Sequence, residues 1–184
     1  MRMKARPLVL SAAVLTMAIS AATGQSTSPK VTERQQDMKA MAGAAKTIDA
    51  MFKGSSPYNS KAFKAAAETI RTYSGERLAA LFEAPVVSGG SKASDSIEAD
   101  RPTFDRLAAE LGAYASVLSV AADRNPEVLA PEMRMKGGDA TMGGPLAKRK
   151  AATPDPMSIP AEHAFHMMLQ TCTSCHAKFR VKGE

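Results

Sequence analysis

The only two cysteines of this 184-residue chain, Cys172 and Cys175, stand three positions apart, and His176 follows the second directly. A structural disulfide stabilises by closing a longer loop than this pair could, so the two thiols need another use. On a helix, residues three and four apart share a face. Cys172 and Cys175 could therefore reach one planar group together while His176 turns its imidazole to a metal at its centre. C-x-x-C-H is the attachment sequence of a c-type haem, whose vinyl groups take the thiols and whose iron takes the imidazole. Two other chemistries use the same residue types. A thioredoxin-like dithiol belongs near a βαβ pattern, which this sequence lacks. A zinc site could draw on His163, His166, Cys172 and Cys175, but such sites hold together cytosolic folds or short modules, and this chain has helices enough to fold alone.

The elements that must position these residues read as helices. From about Val31 to Phe52, Met38, Met41, Ala45, Ile48 and Phe52 recur at steps of three and four, the narrow seam of a bundle. A second helix opens after Ser55 to Ser60, with Asn59 or Ser60 as cap. It carries Phe63, Ala66 and Ile70, with a continuation through Leu78 to Phe82 that Gly75 could interrupt. Residues 84–98, rich in Gly, Ser and Pro, read as a loop. A third helix starts at about Pro102, a residue tolerated in a first turn, and aligns Phe104, Leu107, Leu111, Tyr114, Leu118 and Ala121. The fourth begins near Pro160 and puts Phe165, Met168, Leu169, Cys172, His176 and Phe179 on one face. Residues 125–159, broken by Pro126, Pro131, Gly137-Gly138 and Gly143-Gly144-Pro145, form a long irregular connection, not a second domain. No repeat and no alternating strand pattern is present.

The N-terminus has Arg2, Lys4 and Arg6, an apolar run from Pro7 to Ile19, and small residues up to Gly24. That is the three-part form of a secretory signal peptide, cut after Ala22 or Gly24. The run is shorter than the roughly 20 residues a membrane span requires, so no span is expected after cleavage. Residues 25–184 are then a single domain exported to the periplasm. The full chain has a formal charge of +6, with 24 basic and 18 acidic side chains. Removing residues 1–24 takes away three basic side chains and no acidic one, leaving +3. Without Trp, and without a basic stripe interleaved with aromatics, nucleic acid is not an expected partner.

Two stretches carry a family resemblance. The ending Cys172-Thr-Ser-Cys175-His176-Ala-Lys-Phe179-Arg180 places an aromatic and an arginine three and four residues after the histidine, and Lys53-Gly54-Ser-Ser-Pro57-Tyr58 forms a turn after the first helix. Both resemble class II c-type cytochromes, which include cytochrome c prime and its low-spin, methionine-ligated relatives. The resemblance implies an all-α, antiparallel four-helix bundle with one covalent haem c on the C-terminal helix. Two departures stand out: the Trp often found before the third helix is missing, and the 125–159 connection is longer.

The same resemblance assigns roles. It makes Cys172 and Cys175 the haem thioethers, His176 the proximal ligand, and Phe179 a haem neighbour. It puts the distal residue about twenty positions before the tyrosine of the turn, which from Tyr58 is Met38, with Met41 as the fallback one turn deeper. The residues alone would make Met38 a seam side chain. Arg34 and Arg180 are expected near the haem propionates. His163 and His166 share the helix of His176, about 20 and 15 Å along it by helical rise, and neither can reach the opposite haem face. The implied function is one-electron transfer with His/Met ligation, serving periplasmic redox proteins. The alternative is a five-coordinate cytochrome that binds nitric oxide or carbon monoxide. The faces of helices one and two would admit a homodimer.

Overall fold

A computed structural model describes residues 28–83, 89–136 and 155–181. The export segment 1–24 lies outside them, as does the middle of the 125–159 connection. Among the described residues there are four long or medium helices: α1 (Pro29–Phe52), α2 (Ser60–Thr72), α5 (Arg101–Arg124) and α6 (Ala161–Phe179). Two short ones, α3 (Gly75–Ala80) and α4 (Ser96–Ala99), fill the passage from α2 to α5. The expected four-helix bundle is thus present, with the Cys-Cys-His face on its last helix. None of the helices among the described residues is long and apolar enough to cross a membrane.

Local chemistry sets most boundaries. Asn59 caps α2, its side chain accepting from the Ala62 amide at 2.9 Å, and Asp100 caps α5 through Thr103. Proline occupies the first turn of both α1 and α5, where an amide proton is not needed. The run from Ile70 to Phe82 is interrupted at the place where Gly75 allowed it. It breaks at Tyr73 and Ser74, and Gly75 restarts it at φ +60°. At the break Ser74 is buried against α5 at Gly112, where a Cβ would come within 2.8 Å of Ser74 Oγ. α4 begins within the expected 84–98 loop and runs one residue past it, and the 125–159 connection includes 3-10 turns at Pro131–Met133 and Pro156–Ser158.

α1 ends where Gly54 takes φ +71°, a left-handed conformation that an L side chain disfavours. Gly54→Ala is therefore expected to destabilise the protein by about 1 kcal/mol, seen as a lower denaturant midpoint with an unchanged slope.

The core divides in two. The larger part packs Ile48, Phe52, Phe63, Ile70, Leu118, Phe165 and Met168 between α1, α2, α5 and α6. The rings of Phe63 and Phe165 both meet that of Phe52, at 5.4 and 5.6 Å between centroids. The smaller part gathers Leu78, Phe82, Ile97, Phe104, Leu107 and Phe179. Met38 is half-buried and touches both. The expected α1 seam holds at Met41, Ile48 and Phe52, but Ala44 and Met51 complete the buried stripe while Ala45 turns toward a cavity.

Two polar devices fix α1 from outside. Arg77 of α3 reaches Asp37 and Glu33, both at 3.3 Å, and stacks on Tyr73 at 4.9 Å. At the other end the Arg134 guanidinium donates to the Phe52 carbonyl and pairs with Glu162.

Candidate haem-binding site

α1 and α6 meet through Phe52 and Phe165. From there to the N-terminal end of α1, two adjoining cavities separate them. The larger, about 430 Å³, is walled by Met38, Met41, Ala42 and Ala45 of α1 and by Phe165, Met168, Leu169 and Cys172 of α6, with Ile70, Leu107 and Leu111 behind. The smaller, about 340 Å³, is walled by Val31, Arg34, Phe82, Phe104, Phe179 and Arg180, among others. Met38, Cys175 and His176 border both.

Helix geometry brings the reactive trio together as expected. Cys172, Cys175 and His176 sit at i, i+3 and i+4 in the last two turns of α6, and all three line the larger cavity. Cys172 packs on the larger core cluster and Cys175 on the smaller. The thiols are not joined in a disulfide. Burial pushes both up, Cys175 to about 11 with Cys172 as a second cause. A redox dithiol requires the opposite shift, so the thioredoxin-like chemistry finds no support. His176 is held below the usual histidine range, by burial first and by Arg180 second. Although the residue is exposed by surface area, the shift is toward the neutral imidazole, the form that ligates a metal.

A zinc site finds no support either. His163 is half-buried, His166 is exposed, and neither borders the cavities. Among the described residues no three His, Cys, Asp or Glu side chains are grouped to hold a metal ion.

A covalent haem, by contrast, fits the residues present. It needs two thiols on one wall, an imidazole beside them, an apolar slot for the ring and cations for its carboxylates, and the paired cavities offer each. Met38 faces the trio from α1. Met41 is buried deeper and borders only the larger cavity. Phe179 anchors the end of α6, edge-on to Phe104 at 5.4 Å, and Phe104 in turn meets Phe82 at 5.0 Å.

Of the two expected arginines, Arg180 is exposed, whereas Arg34 is buried, its guanidinium 4.7 Å from the Phe82 ring centroid. Stacking on an aromatic face tolerates a weakly hydrated guanidinium where an ammonium would cost more. Sequence reasoning missed Gln35 and Lys92, which also line the smaller cavity. Lys92 lies in the loop before α4, and no local periodicity could announce its approach to residues near 180.

A family model described as Cytochrome C' matches residues 29–139. The match stops short of α6, so the cysteines and His176 lie beyond it. No curated protein sequence matches the chain. Several solved structures share the fold. Cytochrome c' from Rhodopseudomonas palustris is 24% identical with a TM-score of 0.59, over 86% of this chain and 100% of that one. Cytochrome c' from Thermochromatium tepidum is 20% identical with a TM-score of 0.58, over 83% and 95%. A ferrous variant of cytochrome c prime from Alcaligenes xylosoxidans with bound nitric oxide is 21% identical with a TM-score of 0.58, over 84% and 94%.

Proposed function

Since this chain belongs to the cytochrome c' family, the class II c-type cytochromes with one covalently attached haem c, we propose that it is a periplasmic one-electron carrier with His176 and Met38 as axial ligands. Cys172 and Cys175 hold the cofactor by thioether bonds. Bound there, haem supplies the Fe(III)/Fe(II) couple. The observation that carries the reading is that Met38, on α1, and His176, on α6, border the same two cavities from opposite walls.

The chain's own residues would keep the electron transfer simple. His176, fixed in the last turns of a packed helix, would offer an imidazole lone pair to the iron. Met38 would offer a soft thioether, a ligand that together with an imidazole raises the potential of haem iron. Met41, Leu107, Leu111 and Phe165 would give the ring an apolar wall. Residues 1–24 are removed on export, and the mature charge of about +3 that follows from the sequence steers partners weakly.

A second reading, gas binding at an open distal position, is favoured by the nitric oxide complex of the Alcaligenes xylosoxidans variant and by the α1 wall from Met38 to Ala45, which is apolar along the cavity. The test is the optical spectrum of protein matured in a host that attaches haem, with its mass recorded to identify processing. Sharp α and β bands on reduction, indifferent to carbon monoxide and lost in Met38→Ala, are expected. A high-spin spectrum that shifts with carbon monoxide in the unaltered protein would reject Met38 as ligand and put gas binding first.

A further inference from the structure

One short stretch of chain is fastened to both walls of the haem crevice. On the α1 side, Gln35 Nε2 donates to the Gly90 carbonyl at 3.1 Å. On the α6 side, the Val181 amide donates to the Lys92 carbonyl at 2.9 Å, the Ser94 amide to the Phe179 carbonyl at 3.0 Å, and Ser96 Oγ to the Lys178 carbonyl at 3.0 Å. Ala93 lies opposite Arg180 in an antiparallel bridge. Residues 90–96 are therefore a strap across the Arg34 and Arg180 end of the crevice. The carbonyls of Lys178 and Phe179 have no donor within α6, as at any helix C-terminus, and the strap satisfies them.

The strap carries a charge into a particular place. Among the described residues three cations, Arg34, Lys92 and Arg180, line the smaller cavity, and no carboxylate does. The larger cavity has Lys46 and Lys53 at its far end, but there Asp49 takes Lys53 at 2.7 Å. Lys92 enters no ion pair among the described residues. A haem presents an apolar ring and two carboxylates, so the cationic cavity beside Cys175 and His176 suits its charged edge. We propose that Lys92, delivered by the strap, is a third cation for the haem carboxylates beside Arg34 and Arg180, and that it thereby raises the reduction potential.

The inference rests on attachment at Cys172 and Cys175, and not on Met38 as a ligand. A cation near the ring stabilises the added electron, and because Lys92 is exposed its effect is screened by salt. The measurement is a spectroelectrochemical titration of the holoprotein at low and high ionic strength, in the wild type and in Lys92→Gln, Lys92→Arg and Lys61→Gln. Lys61 is exposed at the start of α2 and borders neither cavity, so its loss controls for net charge.

Lys92→Gln is expected to lower the equilibrium constant for reduction severalfold at low salt, where tenfold is about 59 mV for one electron. The effect shrinks at high salt, Lys92→Arg restores the wild-type value, and Lys61→Gln leaves it in place. Equal potentials for Lys92→Gln and Lys61→Gln would overturn the proposal. So would a Lys92→Gln protein that loses haem or changes its axial bands, because Lys92 would then be shaping the crevice and not pairing with carboxylates. The bands report ligation separately from the potential, so a failure of His/Met coordination is visible without deciding this question.

Discussion

Cys172→Ser combined with Cys175→Ser, produced in a host that attaches haem, yields a chain that shows no haem stain after denaturation and that has lost cooperative thermal unfolding. The substitutions themselves change little, since serine is close to cysteine in size and both positions are only half-buried. The effect comes from the crevice. An apolar cavity costs about 24 cal/mol per Å³, so one of about 430 Å³ would cost roughly 10 kcal/mol if nothing filled it. This is an upper figure because the crevice opens to solvent, yet it equals the whole stability of a typical domain, about 5–15 kcal/mol. The two halves of the core meet at Met38 and at the cysteines, one thiol on each half. Haem at this junction is thus part of the core and acts as a folding ligand. Circular dichroism and a thermal melt check the prediction. A sharp melt with wild-type helicity, in protein shown to be free of haem, would refute it.

The features legible in the sequence were those set by short-range spacing. Cys172, Cys175 and His176 reach one cavity because i, i+3 and i+4 share a helical face, and a regular helix carries that face wherever it goes. The cap at Asn59 and the seams of α1, α5 and α6 follow from the same local rules. What escaped was set by contacts between distant residues. The resemblance placed Arg34 near the haem but gave no sign that it is buried against Phe82, 48 positions on, whose ring its guanidinium stacks on. The break at Gly75 was legible, but the burial of Ser74 against Gly112 of α5 was not. Residues 90–96 read as plain loop, since the partners of Lys92, Ser94 and Ser96 are near position 180 and leave no local mark. The family resemblance supplied the distal candidate, and periodicity could not have done so: Met38 and Met41 lie on the same stripe, and only the cavity walls separate them.

The second large effect is expected at the closed end of the crevice. Phe165→Ala should destabilise the protein by about 3–5 kcal/mol, the range for truncating a buried aromatic side chain. Phe165 is 1% exposed, packs on Phe52 at 5.6 Å between ring centroids, and also forms part of the larger cavity's wall. Its removal therefore joins the cavity to the core. Phe63→Ala is the comparison: Phe63 is 0% exposed and sits between Phe52 and Tyr58, but it does not border the cavity. Both variants should unfold at lower denaturant by similar amounts. Only Phe165→Ala should also quicken carbon monoxide entry in a protein whose distal ligand has been removed by Met38→Ala, because it alone opens the route between α1 and α6. Phe165→Leu, which keeps most of the packed volume, should recover more than half of the stability and the slower entry. If Phe165→Ala unfolds within 1 kcal/mol of the wild type, or if Phe63→Ala quickens gas entry equally, then the contact between Phe52 and Phe165 is not what closes this end of the crevice.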